Sequence, residues 1–172
     1  MKTTKLVAMS LMALSLGAFG AIATAAEHKG HSPMGMEMAH EPHHVLAMAY
    51  HRNLATFAKA LHDQTAKASS VNVEFARTAV AEMRRSFDQM KQQHQACMQA
   101  MSAEMQAKMK DKMQQMEPHQ SQLNEQLTAL EQEVQSAAPD PKKVSTLASN
   151  VLTHLDAMSK MYHGSRGKKM KM

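Results

Sequence analysis

Methionine and histidine carry most of the chemistry this sequence can offer. The 172-residue chain holds 19 Met and 11 His, one Cys and no Trp, with aromatic residues at 3%. Thioether sulfur is a soft donor that selects Cu(I), and by extension Ag(I), over harder cations, and imidazole also suits copper. Beyond residue 25, Met occurs 16 times, Leu 9 times and Ile not at all, and the two common types are segregated. From residue 83 to 116 the large apolar side chains are Met83, Phe87, Met90, Met98, Met101, Met105, Met109, Met113 and Met116, without one Leu, Ile or Val. Methionine is a good helix former that fills irregular cores. A mere filler, however, would be spread through every segment.

The elements that must position these groups are helical. His44, Ala47, His51, Leu54, Ala58 and Leu61 recur at steps of three and four and predict a helix over 43–67. The same spacing runs through Val73, Val80, Met83, Phe87, Met90, His94, Cys97 and Met101. It predicts a long second helix over 72–116, or one broken near Ser102, a residue type that caps helices. Pro118 suits the first turn of a third helix over 118–136, because its missing N–H would go unpaired there. Leu123, Leu127, Leu130 and Val134 supply that helix's stripe. The breakers around Pro139 and Pro141 precede a fourth helix over 141–163, with Val144, Leu147, Val151, Leu155 and Met158 inward. No segment alternates like a strand. The expected fold is all-α, two helical hairpins forming a four-helix bundle, with a disordered Met/His-rich arm over 26–42 and a short basic tail over 164–172.

Hairpin geometry then gathers donors. A turn near Ser69 pairs residues whose numbers sum to about 138, setting His44 level with His94, Met48 with Met90 and His51 with Phe87. His44, Met48 and His51 share one face of the first helix, and Met90, His94, Met98 and Met101 share one face of the second, with Cys97 beside them. A second turn near Pro139 sets Met116 and His119 level with Met158, Met161 and His163, and places His154 a turn deeper. Each residue taken singly has a plainer reading as a packed core or boundary side chain. Their register is what favours two shared pockets of imidazole and thioether.

The ends of the chain extend the donor set and give it an address. Lys2 and Lys5, an apolar run from Leu6 to Leu16 and the small residues Ala23-Thr24-Ala25-Ala26 have the order of a secretory signal over 1–25. The apolar run is shorter than the ~20 residues of a membrane span, so a cleaved signal, a periplasmic protein and no stable membrane insertion are expected. Removing Lys2 and Lys5 lowers the net charge from +5 to +3. That modest charge, the compartment and the dearth of stacking aromatics argue against a nucleic-acid partner. In the arm, Met34, Met36 and Met38 put thioethers on a flexible chain, and His28, His31, His40 and His43 add imidazoles. Cleavage after Ala25 would place His28 third, where the amine, two backbone nitrogens and imidazole form the square-planar field that Cu(II) favours; cleavage after Ala26 would destroy it. Cys97 is the one cysteine, so the fold must stand without an internal disulfide.

The Met-x-Met runs, the His44/Met48/His51 face and the His94-Met98-Met101 face resemble those of Met- and His-rich periplasmic copper-handling proteins. That resemblance implies binding, buffering or delivery of copper or silver without catalysis. Copper, chiefly Cu(I), is then the bound group, no organic cofactor is expected, and a copper exporter or another periplasmic metal carrier is the implied partner. Leu127-Thr128-Ala129-Leu130-Glu131 is similar to the LTxxQ motif of small helical periplasmic stress chaperones and metal sensors, with Glu131 where the motif has Gln. It implies an alternative role as a chaperone or sensor, in which a Met-rich surface grips apolar segments.

Enzyme readings fare worse. A carboxylate-bridged di-iron bundle needs paired Glu-x-x-His on two helices. Here Glu37-x-x-His40 lies in a Gly/Pro-broken arm and Glu41-x-x-His44 straddles a helix start. Met and His could ligate a haem iron, but there is no Cys-x-x-Cys-His and few aromatics to line a pocket. No nucleophile–base pair or phosphate-cradling Gly loop is visible. A non-enzymatic protein is expected.

Overall fold

The computed structural model describes residues 40–163. The predicted signal, the arm up to residue 39 and the basic tail lie outside them. The described chain forms four helices, α1 (Pro42–Thr65), α2 (Val73–Ala100), α3 (Ala103–Gln135) and α4 (Pro141–His163), with no strand among the described residues. Each helix packs on two others, α1 on α2 and α4, and α3 on α2 and α4. Every neighbour is antiparallel. His43 meets Gln93 and Asn53 meets Ser86 across α1–α2, His62 meets Ser145 across α1–α4, and Gln126 meets Asn150 across α3–α4. The chain is an all-α, up-down-up-down four-helix bundle of two hairpins, as the periodicity implies.

Helix starts are set by local side-chain chemistry. Glu41 accepts from the His44 amide at 2.6 Å with Pro42 following it, and Asn72 accepts from the Phe75 amide at 3.1 Å. Such caps satisfy N–H groups that have no partner within the helix. Ser102 does the same for Met105 at 3.3 Å, and Met101 and Ser102 are both extended. The second helix therefore ends at Ala100 instead of reaching residue 116, and the third begins at Ala103 instead of at Pro118.

Pro118 sits inside α3, contrary to the sequence expectation. It forfeits the amide bond to the carbonyl four residues back, a local cost of about 3 kcal/mol. Its ring is exposed, while Met116 before it and Leu123 and Leu127 after it are buried. Burial on both sides of the proline holds the helix together across the defect.

The hydrophobic core is chiefly leucine, valine and alanine. Leu54 and Leu61 come from α1, Leu123, Leu127 and Leu130 from α3, and Val144, Val151 and Leu155 from α4. Helix α2 contributes Ala76, Ala79 and Val80, then Met83, Phe87 and Met90. A polar clamp closes α2 on α3. The Arg84 guanidinium donates to both carboxylate oxygens of Glu131 at 2.7 and 3.0 Å, to Asn124 at 2.7 Å and to Thr128 at 3.0 Å. The LTxxQ-like stretch thus builds the bundle: Leu127 and Leu130 point into the core, and Thr128 and Glu131 hold Arg84.

Candidate soft-metal site

At the end of the bundle away from the α1–α2 and α3–α4 turns, leucine gives way to histidine. On three helices the order is the same: a core residue, then a histidine, then a buried residue outside the core. These runs are Leu54–His51–Ala47 on α1, Met90–His94–Cys97 on α2 and Leu123–His119–Met116 on α3. Helix α4 contributes His154 beside Leu155. On α1, α2 and α3 an imidazole therefore stands where the core cluster stops, while on α4 His154 lies beside the core with Met158 a turn beyond it.

The four are linked in pairs. His94 is only 8% exposed, and burial, then the charges that His44 and His51 would carry, lowers its pKa to about 4. An imidazole so held is neutral at ordinary pH and keeps a lone pair for a metal. His51, equally buried, has its Nε2 3.0 Å from the Leu155 carbonyl, which ties the α1–α2 group to α4 next to His154. Across α3–α4 the His119 and His154 rings lie 5.9 Å apart. Burial and then the His119 charge lower the His154 pKa. The Nδ1 of His119 is buried without a hydrogen-bond partner.

Methionine surrounds this layer more than it fills the core. Eleven methionines lie between residues 48 and 161. Only Met83, Met90 and Met158 belong to the core cluster. Met109 and Met116 are buried outside it, and Met48, Met98, Met101, Met105, Met113 and Met161 are half-buried and are not among the side chains packed against it. The thioethers near the histidine layer are thus largely surplus to the apolar interior.

Cys97 has a specific neighbour that sequence reasoning missed. Its thiol hydrogen-bonds the Glu41 carboxylate, and burial, then that carboxylate, pushes its pKa up to about 12. Burial raises the Glu41 pKa, but the bonds from Cys97 and the backbone of His44 and His43 outweigh it and hold the carboxyl below its usual range. The only sequence signal was Glu41 at a helix start three residues before His44. That spacing is a cap, and the carboxylate that a Glu-x-x-His motif offers to iron is here spent on the His44 amide.

Of the residues expected to form the site, the structure gathers His44, His51 and His94 into one electrostatic group and brings His119 to His154. Met48 and Met90 lie on the same helix faces as the first group, Met98 and Met101 follow His94 on α2, and Met161 follows Met158 on α4. None of these side chains is exposed. His163 ends α4, but its side chain lies outside the described residues, as do His28, Met34, Met36 and Met38. Among the described residues no three His, Cys, Asp or Glu side chains converge as a metal-holding group, so an ion here would need thioether for part of its shell. None of the four helices is long and apolar enough to cross a membrane. Comparison with family models, curated proteins and solved structures finds no match.

Proposed function

We propose that this protein binds soft monovalent metal ions, Cu(I) or Ag(I), in the periplasm, and buffers or delivers them without catalysing a reaction. The observation that carries this reading is the surplus of methionine outside the core, gathered where every helix contributes a histidine. Thioether and neutral imidazole are the donors that Cu(I) accepts in low-coordinate sites, and hard cations would find few carboxylates there. On this reading His44, Met48, His51, Met90, His94, Met98 and Met101 serve one site, with Cys97 at its edge. Met116, His119, His154, Met158 and Met161 serve a second, weaker one. The signal over 1–25 exports the chain, the arm residues His28, Met34, Met36 and Met38 collect ions, and a copper exporter or another periplasmic carrier takes delivery.

Replacing Met90, His94 and Met98 together with Leu tests the reading. Leucine keeps the volume and helix propensity of methionine, so the far-ultraviolet dichroism should be unchanged. The number of Cu(I) ions held against a chromophoric chelator under reducing conditions should fall. An unchanged endpoint refutes the site.

A further inference from the structure

The seam between α2 and α3 is open at the end that carries His94. Two clefts, of about 640 and 580 Å³, lie along it, and both are lined by Met98 from α2 and by Met113 and Gln120 from α3. The second also reaches His94. Met98 and Met113 are half-buried, so their sulfurs meet both solvent and protein. His94 is buried and grouped with His44 and His51. It therefore belongs both to the cleft wall and to the interior histidines.

We propose that Met98 and Met113, lining one cleft from opposite helices beside His94, form an open two-thioether, one-imidazole site that captures Cu(I) or Ag(I) from solution and passes it inward. This rests on the soft-metal reading above and adds to it a ligand, Met113, and a route. The ion arrives hydrated or on a small carrier ligand, and the two sulfurs displace that ligand. Transfer inward breaks a thioether bond as an imidazole bond forms. The ion keeps its single positive charge throughout, so no oxidant or reductant takes part. The charged rim does not compete: Lys91 and Lys110 are offset by Asp88 and Glu117, leaving selection to the soft donors.

The probe is Ag(I), which needs no reducing agent, added to the full chain carrying ¹³C-methyl methionine. Methyl and imidazole signals are followed by NMR, with Met98 and Met113 assigned by single substitutions to Leu. The Met98 and Met113 methyls should shift at the first additions, together with His94. In the variant Met98→Leu with Met113→Leu, affinity should fall roughly tenfold or more, the scale on which loss of a supporting group weakens metal sites, and loading of the interior histidines should slow. If His94 and Met90 respond while the Met98 and Met113 methyls stay still, the cleft site is wrong and the interior site stands. If no methionine or histidine responds, both readings fall. The shifts are read on the unsubstituted chain and the single variants serve only to assign the two methyl signals, so a double variant that folds poorly does not blunt the test.

Discussion

The two ends of this bundle solve different problems with the same four helices. Near the α1–α2 and α3–α4 turns, Leu61, Leu130, Val134 and Val144 fill the interior, and the buried carboxylate of Glu133 is matched by Lys143 at 2.6 Å and the Asp140 amide at 2.8 Å. At the other end His51 and His94 are buried, His119 and His154 are half-buried, and most of the thioethers stand outside the core cluster. Leucine is the better core residue, since it has fewer rotamers to freeze and no polar atom to satisfy. A bundle under selection for stability alone gains nothing by burying His51 and His94 and half-burying two further imidazoles at one end. The contrast separates a half filled by leucine and valine from a half in which imidazole and thioether take their place.

That contrast breaks if the leucine end is not the stabilising one. Leu127→Ala removes a fully buried side chain and should cost about 2–5 kcal/mol in urea unfolding. The same truncation at the other end, Met48→Ala, removes a side chain that is half-buried and outside the core cluster, and should cost less than about 2 kcal/mol. Equal losses would show that the methionine end is packed as tightly as the leucine end.

Acid should act on the histidine end. The ordinary His94 pKa near 6.5 falls to about 4 in the fold. Between these values the unfolded chain binds a proton that the folded protein refuses, so stability drops as pH falls through that window. The full loss from His94 is on the order of 3 kcal/mol, and His154, shifted the same way, adds to it. Urea midpoints measured from pH 7 to pH 4 should fall in the parent, and fall less steeply in His94→Gln. A flat parent profile would mean that His94 is solvated.

Smaller effects sharpen the picture. Glu41→Ala removes the α1 cap and the partner of Cys97 and should cost ~1 kcal/mol. Deleting residues 27–40, which leaves that cap in place, should leave the urea midpoint unchanged. Arg84→Ala opens the α2–α3 clamp, whose ion pair is partly exposed, and should cost about 1 kcal/mol without changing metal capacity. A loss of capacity in Arg84→Ala would show that the α2–α3 seam is coupled along its whole length.

Much of this was legible before any coordinates. The sum rule for the first hairpin set His44 level with His94, and the bonds His43–Gln93 and Asn53–Ser86 follow the same register. Leucine spacing named the α3 stripe. The second hairpin register was less exact: it set His119 level with Met158 and Met161 and His154 a turn deeper, whereas in the fold the His119 and His154 rings face each other at 5.9 Å. The α2–α3 boundary was less legible. Proline is the stronger local signal, so residue 118 outweighed Ser102 as a helix start. In the fold the serine cap with two extended residues makes the turn, and burial flanking Pro118 carries the helix through it.

Composition and periodicity alone determined that the chain forms helices, which face of each is apolar, and that methionine is segregated from leucine. These are properties of single segments, and 3.6 residues per turn fixes them. Tertiary packing decided which thioethers enter the core and which line the α2–α3 clefts. It also decided that Glu41 meets Cys97 and that His51 reaches the carbonyl of Leu155 on α4. Periodicity gives a residue its side of a helix, but the neighbour on that side is chosen only when four helices settle their mutual rotation and register against a shared core.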